Sequence, residues 1–218
     1  MFVHMSLNNL SDPKFAPYFT AMDCVLNGEK AVYCSSELTS GLRAFNEMRK
    51  HGVRSSAELK EKLGREWFQK NIFDPNAKST NEFAASVRRA QTGQKPVITP
   101  APLYVQGWGQ PDYNGFWKEL IHTRVESVRF NRKWQFSNGS TLEFVEAQEA
   151  RIRTLEVNGK LLTPGAAAEL IEEAIKQFAD LDTSTLQENL HRLVAKGFPP
   201  STTVSQPARA MRPRRRTS

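Results

Sequence analysis

Apolar positions along this chain fall into two rhythms, short β-type runs and longer stretches with helical spacing. Phe15, Tyr18, Phe19 and Met22 recur at helical intervals, so residues 1–29 form an arm that can pack on a core. Residues 30–34 (KAVYC) read as the first strand, and the SSELTSG that follows is rich in turn formers. Residues 42–72 are polar and helical; Ser55-x-x-Glu58 caps one helix and Asp74-Pro75 closes the segment. Ser79-x-x-Glu82 opens another helix, with Phe83, Val87 and Ala90 on one face and Gly93 as its stop. Val97–Ile98 is the second strand, residues 112–123 a helix carrying Phe116, Trp117, Leu120 and Ile121, and Val125–Phe130 the third strand. A helix begins near Ser140. Asn158-Gly159 between apolar flanks predicts a type I′ hairpin over residues 152–162. Thr163-Pro164 caps and starts a further helix, and Ser184–Ala195 is a last amphipathic one, stopped by Gly197.

Strands alternating with helices predict an α/β fold: a Rossmann-like (flavodoxin-like) parallel sheet of about 4–5 strands flanked by helices, with further helices at the C-terminal end. Ligands bind such sheets beyond the carboxyl ends of the strands. That rule brings residues 35–43, 100–110 and 131–143 to one mouth, and these are the segments richest in Gly, Ser, Thr and aromatics. The domain spans residues 30–197, with residues 46–76 as a helical insertion that reads as a lid or an oligomer contact.

The most informative stretch is WQFSNGSTLEFVEA, residues 134–147. A small polar turn (Ser137, Asn138, Gly139, Ser140) enters a helix-forming run, and Glu143 lies one turn in. A helix start attracts anionic groups, so a carboxylate there needs a reason. One reason is attack on, or stabilisation of, an electron-poor sugar carbon. The competing reason is structural: Ser140-x-x-Glu143 has the form of a capping box, whose Glu merely satisfies the helix's own N–H groups.

Composition narrows the field. No run of about 18 apolar residues exists to span a membrane. The first residues lack the layout of a signal peptide. Cys24 and Cys34 make no disulfide framework, no Cys/His set has zinc spacing, and the four His residues form no triad. A reduced, cytoplasmic protein without metal or cofactor is the expectation. Arg209, Arg212, Arg214, Arg215 and Arg216 account for +5 of the net charge of +7, leaving about +2 for the rest. Residues 198–218 therefore read as a disordered basic tail, solubilising or able to bind nucleic acid through phosphates.

The order VYCSSELTSGLR, then a strand ending in a Pro-containing loop, then SNGSTLEFVEA resembles the nucleoside 2-deoxyribosyltransferase-like superfamily. That group includes base-exchanging transferases and deoxynucleoside monophosphate N-hydrolases. The resemblance covers residues 30–163. Tyr33, Ser36, Thr39, Ser40, Gly41 and Arg43 fall on the family's opening strand and loop, and Glu143 falls on its G-x-x-x-E. The W-x-x-S-x-G form of Trp134, Ser137 and Gly139 is closest to bacterial and phage-type members. The family keeps an Asp near the helix before the third strand. Here Glu119 is the nearest match and Asp112 the alternative.

The resemblance implies cleavage or exchange of an N-glycosidic bond in a nucleoside or nucleoside 5′-monophosphate. Glu143 would be nucleophile or oxocarbenium stabiliser, and Glu119 or Asp112 would assist the leaving base. Ser137, Asn138, Gly139 and Ser140, with Arg43, would hold a phosphate or sugar hydroxyl; Tyr33, Trp108 or Trp134 would stack on the base. Trp117 reads as core, and Trp108, between two glycines, is open to a ligand role. A homo-oligomer is implied by the resemblance alone. Two other classes remain: a nucleotide-binding or regulatory module without turnover, and a nucleic-acid-associated protein acting through the tail.

Overall fold

The computed structural model describes residues 12–91 and 95–198. After a 3₁₀ turn at Pro13–Phe15 come α1 (Ala16–Leu26), β1 (Ala31–Ser35), α2 (Leu42–His51), α3 (Ser56–Leu63) and α4 (Arg65–Phe68). A π-helical turn, Gln69–Phe73, carries α4 into α5 (Asp74–Ala90). There follow β2 (Val97–Ile98), α6 (Gln110–Arg124), β3 (Val125–Phe130), a 3₁₀ turn at Trp134–Phe136 and α7 (Asn138–Glu149). The chain continues with β4 (Arg153–Leu155), α8 (Pro164–Gln177) and α9 (Ser184–Ala195).

The four strands form one sheet in the order β2-β1-β3-β4, every neighbouring pair parallel. This is the expected α/β architecture. Alternation along β1 divides the core in two. Val32 and Cys34 pack with Phe83, Ala84 and Val87 of α5 on one face. Tyr33 belongs to the larger core on the other, with Phe116 and Trp117 of α6 and Phe144 of α7. Burying side chains of this size contributes roughly 1.5–3 kcal/mol each, so the second face carries most of the cohesion.

The N-terminal arm joins that larger core. Phe15 and Phe19 of its apolar stripe are buried, and Phe19 stacks on Phe116 at 4.8 Å between ring centroids. The insertion is anchored by Leu59, Phe68 and Ile72, all in the same core.

Four local expectations are corrected. Asp74-Pro75 opens α5 instead of closing a segment, because a helix's first turn has a spare N–H that proline can do without. Ser79 therefore lies inside α5, and α5 ends at Ala90, ahead of Gly93, which lies outside the described residues. Residues 152–162 do not form a type I′ hairpin. Arg153–Leu155 pairs in parallel with β3, leaving one antiparallel bridge from Leu155 to Leu161, with Gly159 but not Asn158 at positive φ. Burial of Thr154 and Leu155 against the sheet outweighs the local turn preference. Finally, α7 starts at Asn138 with Ser137 as its N-cap. No helix among the described residues is long and apolar enough to cross a membrane. The arginines of residues 209–216 lie outside the described residues.

Candidate functional site

Tyr33 and Ser35 are two positions apart on β1 and so share a face of the sheet. Helix α7 crosses that face at the carboxyl end and presents Glu143 to both. The Tyr33 hydroxyl donates to Glu143 Oε1 at 2.7 Å, and the Ser35 hydroxyl donates to Oε2 at 2.6 Å. All three residues are buried, Glu143 retaining 7% exposure.

Two neutral hydroxyls replace water only in part. Burial raises the Glu143 carboxyl to about 7, against the opposing effect of the hydrogen bonds from Ser35 and Tyr33. Burial, and next the charge of Glu143, push the Tyr33 phenol well above its ordinary value, so it stays a donor.

This geometry corrects the capping-box expectation. Ser137 Oγ accepts from the Ser140 N–H at 3.3 Å, so the cap sits three residues earlier. Glu143 spends its oxygens on β1, not on its own helix. The Asn138 N–H donates to Ser40 Oγ at 3.1 Å, which ties the loop after β1 to the start of α7. The side-chain oxygen of Asn138 is buried there without a hydrogen-bond partner.

Glu143 opens into a cavity of about 1050 Å³, large enough for a nucleotide by the usual range of about 300–1,000 Å³. Ser36, Thr39, Ser40, Trp108, Ser137, Asn138 and Gly139 line it. Trp117, expected in the core, is buried against Tyr33 and yet contributes to the wall. Tyr33 lies behind Glu143, fully buried, so it holds the carboxylate instead of stacking on a base.

Other candidates are placed elsewhere. Trp134 is wedged between Phe130 and Phe144, stacked on the latter at 5.2 Å, which makes it core. Arg43 Nε donates to Asn76 Oδ1 at 3.3 Å and lines a separate cavity of about 420 Å³. That smaller cavity also holds Glu37, whose carboxyl burial raises to about 7. Gly41 has φ +114, and Glu37 fills the space a Cβ would need, so only glycine fits there. Ser140 is buried off the cavity, its hydroxyl unpartnered. Asp112 Oδ2 accepts from the Gly109 N–H at 2.8 Å, and its Oδ1 pairs with Lys14 at 2.6 Å. Neither Asp112 nor Glu119 lines the cavity.

The second carboxylate in the wall is Glu146. It lies three residues after Glu143 and hence on the same side of α7. Its oxygens lie 2.8 Å from Arg192 Nη2, 2.9 Å from His122 Nε2 and 3.3 Å from Lys118 Nζ. His122, Glu146 and Glu149 bring ligand-type atoms within 4.8 Å of one another. Lys118, Arg192 and Lys196 already neutralise the two carboxylates, so the cluster reads as an ion-pair network rather than a metal centre. Sequence reasoning missed Ser35 and Glu146, although the strand period from Tyr33 and the helix period from Glu143 point to them.

Compared with known proteins, the chain matches no family model, no curated protein and no solved structure.

Proposed function

We propose that this protein cleaves or exchanges the N-glycosidic bond of a nucleoside or nucleoside 5′-monophosphate, with Glu143 as the group that meets the anomeric carbon. The observation that carries the reading is a carboxylate buried at the head of a nucleotide-sized cavity, held at both oxygens by β1 hydroxyls.

In the first step one Glu143 oxygen bonds to the anomeric carbon as the carbon–nitrogen bond breaks, and the bonding pair leaves with the base nitrogen. Water or a second base then attacks the same carbon, releases the carboxylate and gives up a proton, which the departed base anion takes up. The hydroxyls of Tyr33 and Ser35 fix the carboxylate's plane, which favours a near-attack arrangement. The unpartnered oxygen of Asn138 offers an acceptor to a sugar hydroxyl. Trp108, Tyr113 and Trp117 supply apolar faces for a base. Lys118, held by Glu146, supplies an ammonium donor at the wall.

One observation favours a binding module without turnover: neither Asp112 nor Glu119 lines the cavity to protonate a leaving base. Release of free base by wild type, and its loss in Glu143→Gln, separates the two readings.

A further inference from the structure

We propose that the inserted helices give the Glu143 cavity an anion-binding end, in which Lys60 of α3 and Arg65 of α4 hold a phosphoryl group of the ligand. The proposal deepens the N-glycoside reading, on which it depends for the rest of the ligand but not for the subsite itself.

Both side chains line the same cavity as Glu143. Gly64, at φ +87, turns the chain between α3 and α4 and so brings the two cations to one wall. Among the described residues neither forms an ion pair. Lys60 Nζ lies 4.4 Å from the centre of the Phe68 ring, which steadies the ammonium without supplying an anion. Burial, and next the charge of Arg65, hold the Lys60 amine below its ordinary value. Two like charges in one cavity wall await a counter-charge.

The cavity's own carboxylates do not supply it. Glu143 is bound by Tyr33 and Ser35, and Glu146 by Lys118, His122 and Arg192. The groups the sequence offers for phosphate are also committed: Arg43 faces the neighbouring cavity, and the Asn138 N–H is taken by Ser40. A phosphate dianion with charge-assisted hydrogen bonds from an ammonium and a guanidinium fits the wall that remains.

The test uses the full chain. Affinities of the common nucleosides and their 5′-monophosphates are measured by calorimetry in the Glu143→Gln background, so that ligands survive the titration. Each 5′-monophosphate that binds should do so at least about tenfold more tightly than its nucleoside. That ratio should fall to within about twofold once Lys60→Ala and Arg65→Ala are added, each losing a charge-assisted bond. Lys70→Ala with Lys78→Ala, which removes two cations close by in sequence but outside the cavity lining, should preserve it. Inorganic phosphate should raise the melting temperature of wild type but not of Lys60→Ala/Arg65→Ala. Alanine at these exposed positions leaves Leu59, Phe68 and Ile72 in place. The proposal is overturned by equal affinity for nucleoside and monophosphate, by a preference that survives the double substitution, or by no response to any phosphate probe. Failure of the N-glycoside reading looks different: no base is released while the phosphate dependence stands.

Discussion

The Tyr33 hydroxyl meets Glu143 Oε1 at 2.7 Å, although the two residues lie 110 positions apart in the chain. Together with the Ser35 bond it opposes the desolvation that raises the Glu143 carboxyl to about 7. If the ionised carboxylate is the reacting form, base release rises with pH through a midpoint near 7. Ser35→Ala and Tyr33→Phe each remove a donor that lowers this pKa, so both move the midpoint upward. A hydrogen bond to a charged group is worth roughly 1.5–3 kcal/mol, so at pH 6 either variant loses about tenfold or more in rate. A pH–rate profile of each variant checks the shift, which a purely structural role would not produce.

Stability should show the same ionisation with a definite sign. The folded-state pKa of Glu143 lies above its unfolded value, so the folded protein holds the proton more tightly. Its contribution is fully present below about pH 4.5 and is lost as pH rises toward 7. The size is on the order of 3 kcal/mol, and Glu143→Gln, which cannot ionise, removes this slope. Glu37 acts in the same direction and remains in the variant. Urea unfolding of wild type and Glu143→Gln at pH 5 and pH 8 should therefore show the variant gaining relative stability at the higher pH.

Glu146 anchors α9 to α7 through Arg192 while facing Lys118 and His122. Glu146→Gln takes the buried carboxylate away from Arg192 and Lys118, which keep partial access to water, so the cost is that of a hydrogen bond to a charged group, roughly 1.5–3 kcal/mol. A double-mutant cycle with Arg192→Met, followed by urea unfolding, should return a favourable coupling energy. Additive effects would show that the pair contributes nothing specific.

Asp112 caps α6 and pairs with Lys14, whereas Glu119 stands outside the cavity. Asp112→Ala should lower the melting temperature, and neither Asp112→Ala nor Glu119→Gln should abolish base release. Chromatography of the products, alongside a thermal melt, checks both.

Periodicity made much of this fold legible. The spacing of apolar residues predicts Val97–Ile98, Val125–Phe130 and Ser184–Ala195 with the observed bounds, because each lies between unambiguous turn signals. It failed where tertiary contacts decide. Asp74-Pro75 reads equally as a stop or a first turn, and the π-helical turn that leads into α5 leaves no local mark. Ser140-x-x-Glu143 has the spacing of a capping box, yet Ser137 takes the cap and Glu143 is drawn to β1. Trp134 was indistinguishable from a ligand-stacking residue until Phe130 and Phe144 enclosed it. Lys60 and Arg65 were hidden in a polar insertion that folds over the cavity only because Leu59, Phe68 and Ile72 join the core.

The central claim is that Glu143 performs N-glycosidic chemistry, and free-base release tests it most directly. Wild type and Glu143→Gln are incubated with nucleosides, 5′-monophosphates and NAD, and the products are resolved by chromatography. The account predicts a free base from wild type with at least one substrate and a loss of about a thousandfold or more in the folded variant, as expected when a nucleophile is removed. Equal release by both proteins, or none by either while both remain folded, would contradict it.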